Sequence, residues 1–281
     1  MRVENSFIPV GGVGETTERR LWRAGVTTWD EFSRDVDVRS VGPTTAERIE
    51  RFVADARDRL AADDTRFFER RLPRGEVWRL YEDYREEACF FDIETTGLSE
   101  HRDRVTTVSF HRGGDTETLV RGRDLDAERL QRWVDEAPLI VTYNGARFDV
   151  PFLEASFDVS IDTPHLDLIY PCRSVGLTGG LSGVERAIGV GRDRPDVSGE
   201  DAVRLWYEYE RHGRERALEE LVAYNREDTV NLRAVADAVT ERLHREVFER
   251  ARAESDGESK SRSRSGSDFE PGEPAAERER D

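Results

Sequence analysis

The chain has 281 residues, enough for one large domain or two smaller ones and for a sizeable buried core. With 36% apolar and 37% charged residues it is too polar for a membrane protein and too rich in Phe, Trp and Leu for wholesale disorder, and no apolar run approaches the roughly 18 residues of a spanning helix. Two cysteines, Cys89 and Cys172, and five scattered histidines exclude a disulfide framework and a Cys/His zinc site, so any metal must be held by oxygen.

The net charge is −17, and Lys260 is the one lysine among 43 basic residues, a bias that points to a GC-rich genome, a halophilic source or both, with an ordinary acidic protein as the alternative. The opening Met-Arg-Val-Glu-Asn has no hydrophobic signal segment behind it, so a cytoplasmic location is expected. Residues 1–62 carry 10 Arg against 11 Asp and Glu, which leaves −16 to the rest of the chain. Within this part GVGETTERRL (12–21) and SVGPTTAERI (40–49) align at an offset of 28, a short internal repeat. Each copy reads as a glycine turn opening a helix, and Gly25 followed by Thr28-Trp29-Asp30-Glu31 reads as a helix stop and a capping box. The repeat resembles tandem helix-hairpin-helix units, in which Gly-hydrophobic-Gly turns present N–H groups to a nucleic-acid phosphate. That likeness implies phosphate contact by Gly12, Val13, Gly14 and Gly42. Ser40 replaces the first glycine in the second copy, where a packing or protein-binding role stays open.

Residues 63–87 carry apolar side chains at helical spacing (Phe67, Phe68, Leu72, Trp78, Leu80, Tyr81) and predict a helical connector. From residue 88 the pattern turns to strands, ACFFDIE, VTTVSF, TETLV and PLIVTYN, with helices over 125–136, 148–156 and about 200–245. In FDIETTGL (91–98) the period of two puts Asp92 and Glu94 on one strand face and Phe91 and Ile93 on the other. Carboxylates leaving a buried strand side by side repel each other unless a cation joins them, and a hard divalent ion is the natural partner.

Asp149, in NGARFD after the apolar run LIVTY, falls at a strand-to-helix junction as a helix cap or a third ligand. The glycine-rich stretch 176–191 lacks a Gly-Lys-(Ser/Thr) ending and reads as a loop and short helix without a nucleotide role. In the last helix an inward stripe runs Leu218, Leu221, Asn225, Asp228, Leu232, Val235, Val239, Leu243, so Asp228 occupies a position where packing would choose an apolar residue. Tyr224 lies one turn earlier on the same side. Beyond about residue 253 the composition is that of a disordered tail.

Together these segments resemble the ribonuclease H-like DEDD exonucleases over about residues 85–245, and HLDLIYPCR (165–173) is similar to their YprB-type branch. The likeness implies an α/β fold, a ribonuclease H-like mixed sheet flanked by helices behind a small all-α helix-hairpin-helix domain. The expected boundaries are 1–62, 63–87, 88–250 and 251–281. It implies Asp92, Glu94, Asp149 and Asp228 as the four acids. Residue 223 is Ala and 224 is Tyr, which implies the tyrosine subtype, with Tyr224 orienting the attacking water. Such a ligand set suits two Mg2+ or Mn2+ ions flanking a phosphodiester. By the same likeness Thr95, Thr96 and Leu98 line the terminal nucleotide and Asn144 the substrate. The expected activity is metal-dependent phosphodiester hydrolysis of DNA or RNA, as a 3'-5' exonuclease. A non-cleaving nucleic-acid-binding protein and a structure-selective endonuclease on the same fold are the alternatives.

Overall fold

In the computed structural model, which describes residues 1–254, the N-terminal repeat folds as two matched turn-helix units. Helix α1 spans Glu15–Arg23 and α2 spans Pro43–Ala61, preceded by Gly14 and Gly42 with nearly the same extended backbone (ψ 176° in both). Three residues upstream of each helix, Gly12 at φ +92° and Ser40 at φ +80° share the left-handed conformation. The equivalent Val13 and Val41 N–H groups donate at 2.9 Å to Val10 and Val38. The turn therefore survives loss of its glycine. Thr28 and Glu31 form the expected capping box, on a short 3-10 turn, Trp29–Glu31.

The connector is helical but broken: α3 (Thr65–Glu69), a 3-10 segment (Arg74–Leu80) and α4 (Tyr81–Tyr84). It is tied to the repeat by an ion pair, Arg79 to Glu18 at 2.9 Å, with both side chains 1% exposed. Glu18 also accepts the Phe7 and Ile8 N–H groups and the Ser6 hydroxyl, so its buried charge is matched by hydrogen bonds as well as by the guanidinium. One hydrophobic cluster runs across residue 62. It joins Val3, Phe7 and Trp22 to Trp78 and Tyr81 of the connector and to Val239, Leu243 and Phe248 near the C-terminal end of the described chain. Trp22 meets Phe248 edge to face, ring centroids 5.1 Å apart.

The sheet has five strands in the order β3-β2-β1-β4-β5, from β1 (Cys89–Thr95), β2 (Val105–Arg112), β3 (Asp115–Val120), β4 (Ile140–Thr142) and β5 (His165–Asp167). β2 runs antiparallel to β1 and β3, while β1, β4 and β5 are parallel, so the sheet is mixed. The expected strands and helices are present, and β5 is an added strand inside HLDLIYPCR. Helices α5 (Ala127–Asp135) and α6 (Asp149–Phe157) cover one face, where Phe91 and Ile93 pack with Val108, Phe110, Leu130 and Phe152. After α7 (Ile169–Ser174) and α8 (Gly180–Ile188), the helical run expected over 200–245 divides at Gly213, φ +63°, into α9 (Gly199–His212) and α10 (Glu215–Leu243). α10 crosses the other face over β1, β2 and β3. Phe90 there shares a cluster with Leu232 and Val235.

Residues 244–254 continue as a helix, first with π geometry and with Ala251 buried. The rest of the tail expected over 251–281 lies outside the described residues. No helix among the described residues is long and apolar enough to cross a membrane.

Candidate metal centre and active site

The alternation of β1 turns Asp92 and Glu94 to the same side as Phe90, under α10. Toward its N-terminal part α10 replaces the apolar stripe by Tyr224, Asn225 and Asp228, all buried. The result is a cluster in which one carboxylate oxygen each from Asp92, Glu94 and Asp228 lies within 4.8 Å of the others. Asn225, fully buried, organises it. Its amide donates to Asp92 Oδ2 at 2.8 Å and to the Asp92 carbonyl at 3.2 Å, and its carbonyl oxygen accepts the Thr107 hydroxyl at 2.9 Å.

Protein encloses the carboxylates on most sides, and their pKa values record the strain. Asp92 is held well above the usual carboxylate range by burial, then by the charges of Asp228, Asp149 and Glu94, with the Asn225 amide opposing. Glu94 is raised by burial and by Asp228 and Asp149. Burial pushes Asp228 up to about 6, with the Arg192 guanidinium the first of the groups pulling it back. Burial likewise raises the Tyr224 phenol, followed by the negative charges around it, so it stays protonated at neutral pH. Acids crowded in this way fit a multivalent cation, which removes both the repulsion and the desolvation cost.

Asp149 is buried at the first residue of α6, after Phe148, and is not the cap of that helix. Its carboxyl faces its own N–H and that of Ile93, between the two acids of β1, and burial together with the Asp167 charge lifts it to about 7. It acts electrostatically on Asp92 and Glu94 but stands outside the group whose oxygens lie within 4.8 Å. The loop that delivers it is set by Asp167 at the end of β5, whose carboxylate accepts the N–H groups of Asn144 (2.7 Å), Ala146 (3.2 Å) and Ile169 (3.1 Å). Asn144 takes the left-handed conformation, φ +66°.

After β1, the Thr95 hydroxyl donates to the Gly97 carbonyl at 2.6 Å and the Thr96 hydroxyl accepts from the Arg104 N–H at 3.0 Å. Both hydroxyls thus build the turn. Only glycine fits at 97, where a Cβ would meet the Asp103 carboxylate at 2.5 Å. The turn leaves Leu98 86% exposed beside the end of the acidic strand. In the N-terminal units Val13 is buried and its N–H is used internally, whereas Gly14 and Gly42 begin helices that have no side-chain cap.

Arg192 was not marked by any sequence pattern. Its Nη2 bonds Asp228 Oδ1 and its Nε bonds Glu185 of α8, with the side chain only 11% exposed. It follows the glycine-rich stretch, and no local spacing links it to either acid. Asn225 stood in the inward stripe as a polar exception, and that was its one signal.

Residues 89–240 match the family model described as RNase_H superfamily. The chain belongs to the RNase_H superfamily. Among solved structures it is similar to one described as the apo form of the nuclease (22% identity, 67% of this chain and 91% of that chain, TM-score 0.43) and to Brucella melitensis NrnC (20%, 67% and 92%, TM-score 0.43). It is also similar to the family B DNA polymerase of Pyrobaculum calidifontis (20%, 56% and 24%, TM-score 0.40). No curated protein matches the chain. In this RNase_H superfamily member the acidic cluster lies at the junction of the first strand and the helix that crosses the sheet.

Proposed function

We propose that this RNase_H superfamily protein is a metal-dependent nuclease that hydrolyses phosphodiester bonds of nucleic acid, acting as a 3'-5' exonuclease of the tyrosine subtype. The observation that carries this reading is the convergence of Asp92, Glu94 and Asp228 within 4.8 Å under α10, where among the described residues only Asp228 of the three has an ion-pair partner, Arg192. Asp92, Glu94 and Asp228, completed by Asp149, would hold Mg2+ or Mn2+, as a pair of ions. Such ions neutralise a phosphodiester and lower the pKa of water. Asn225 keeps Asp92 oriented so that the carboxylate does not turn away before loading. Tyr224 keeps its proton on Oη and so donates a hydrogen bond that aligns the attacking water with the phosphorus, rather than serving as a base.

Leu98 offers an exposed apolar surface for the terminal base, supported by the turn that Thr95 and Thr96 tie. Asn144, in the turn that Asp167 orders, would supply a polar contact to the substrate. The uncapped helix starts at Gly14 and Gly42 suit backbone phosphates farther along a strand. The experiment is digestion of end-labelled single- and double-stranded DNA and RNA with Mg2+, Mn2+ or chelator, at low and high salt. Stepwise release of mononucleotides from the 3' end, abolished by chelator, is expected. Cleavage of none of these substrates, or cleavage indifferent to chelator, overturns the reading.

A further inference from the structure

We propose that Arg192 is a built-in counter-cation that competes with the divalent metal for Asp228 and has to release that carboxylate before the centre loads fully. The inference rests on the reading of Asp228 as a metal ligand. The guanidinium bridges two acids on different helices, Glu185 of α8 through Nε and Asp228 of α10 through Nη2. Glu185 is almost wholly buried and is itself held by the Asn231 amide at 3.0 Å, so the Nε end has an anchor independent of Asp228. The segment after Arg192 is pinned to the same helix: the Asp193 and Arg194 N–H groups both donate to Glu227, the neighbour of Asp228.

An arginine tethered in this way has two arrangements of comparable charge balance. In one, its free fork pairs with Asp228 and lends the crowded acids a positive charge. In the other, Asp228 turns to the metal and Arg192 keeps Glu185 while its fork withdraws. Room for the second is present, since a cavity of about 520 Å³ opens beside it, lined by Glu185, Arg186, Arg192, Tyr224 and Asp228. The guanidinium carbon already lies 5.8 Å from the Tyr224 ring centroid, where the π face offers it a further resting place. Apparent metal affinity is then the intrinsic affinity reduced by the fraction of molecules in which Asp228 is free.

Mn2+ titration of the full chain by calorimetry, without substrate, tests this. Arg192→Gln and Arg192→Lys are both expected to raise Mn2+ affinity, by about fivefold or more. The lysine retains the charge but cannot span both acids, so its effect reports the loss of the bridge. Glu185→Gln, which leaves Arg192 with Asp228 as its one ion-pair partner among the described residues, is expected to lower the affinity. Arg186→Gln removes an exposed charge from the same cavity and should change it by no more than about twofold. Unchanged affinity in both Arg192 variants overturns the proposal, as does an equal rise in Arg186→Gln. Should the Arg192 variants not fold, Glu185→Gln decides, and an unchanged affinity there overturns it. Asp228→Asn separates the two levels. If it weakens Mn2+ binding while the Arg192 and Glu185 variants do nothing, the counter-cation alone fails; if it leaves Mn2+ binding intact, the reading of Asp228 as a ligand fails and takes the inference with it.

Discussion

Asn225 donates to Asp92 Oδ2 at 2.8 Å while accepting the Thr107 hydroxyl at 2.9 Å, so one fully buried amide on α10 locks the carboxylate of β1 against β2. Every polar atom of that amide is engaged, and Thr107 is wholly buried. Asn225→Ala is therefore expected to cost about 1–3 kcal/mol of stability. Urea unfolding measures it. A change within about 0.5 kcal/mol would show that the network relaxes freely and does not position Asp92.

Neutralising a cluster acid should separate activity from stability. Asp92→Asn and Asp228→Asn each remove a proposed ligand and also a charge that the others repel. Both variants are expected to lose nuclease activity, and Asp92→Asn to melt several degrees higher than the parent in chelator at about pH 8. Thermal scans with chelator and with Mg2+ provide the check: metal should stabilise the parent and not the variant. Retained turnover in the purified Asp92→Asn, Asp228→Asn double variant would contradict the assignment of these acids.

The pH dependence follows from the raised acids, with Asp149 near 7 and Asp228 near 6. In the metal-free protein each keeps a proton that the unfolded chain has already released above about pH 4, so their contribution favours the folded state on the acid side and is lost as pH rises through about 6 to 7. Asp149→Asn cannot titrate. Its melting temperature relative to the parent, both in chelator, is expected to rise across that window. Mg2+ should stabilise the parent more as pH increases, because the ligands must be deprotonated to bind. A difference between variant and parent that stays flat from about pH 5 to 8 would place the Asp149 carboxyl in the ordinary range.

Tyr224→Phe keeps the buried ring and its contact with Arg192 but loses the hydroxyl. Turnover is expected to fall by about 10- to 100-fold with KM nearly unchanged, the pattern of a contact made mainly in the transition state. Single-turnover kinetics read the chemical step directly, and an unaltered rate would leave Tyr224 as packing alone.

The central strand and the crossing helix were legible because each carries a period and an exception to it. Asp92 and Glu94 break the burial of an apolar strand, and Asp228 breaks an apolar helical stripe. What stayed hidden depends on partners distant in the chain. Asp167 orders the Asn144–Ala146 turn from more than twenty residues away, on a strand of three residues, too short for alternation to appear. Arg192 meets Asp228 across thirty-six positions. The cap-or-ligand ambiguity of Asp149 was real, since the residue does start a helix; it is the Ile93 N–H beside its carboxyl that directs it to the strand.

The shared hydrophobic cluster has a mechanical meaning. With Trp22 against Phe248 and Val3 and Phe7 in the same cluster as Leu243, the repeat is not hung on a leash. A nucleic acid touching both the helix starts at Gly14 and Gly42 and the acids of β1 would meet a ruler whose length is set by packing, so the effective-concentration arithmetic of flexible tethers does not describe it. Cutting the chain at residue 62 would strip one wall from the core and expose Trp78, Tyr81 and Phe248 to water. In the intact chain, repeat and RNase H-like fold share that core and are expected to melt in one step.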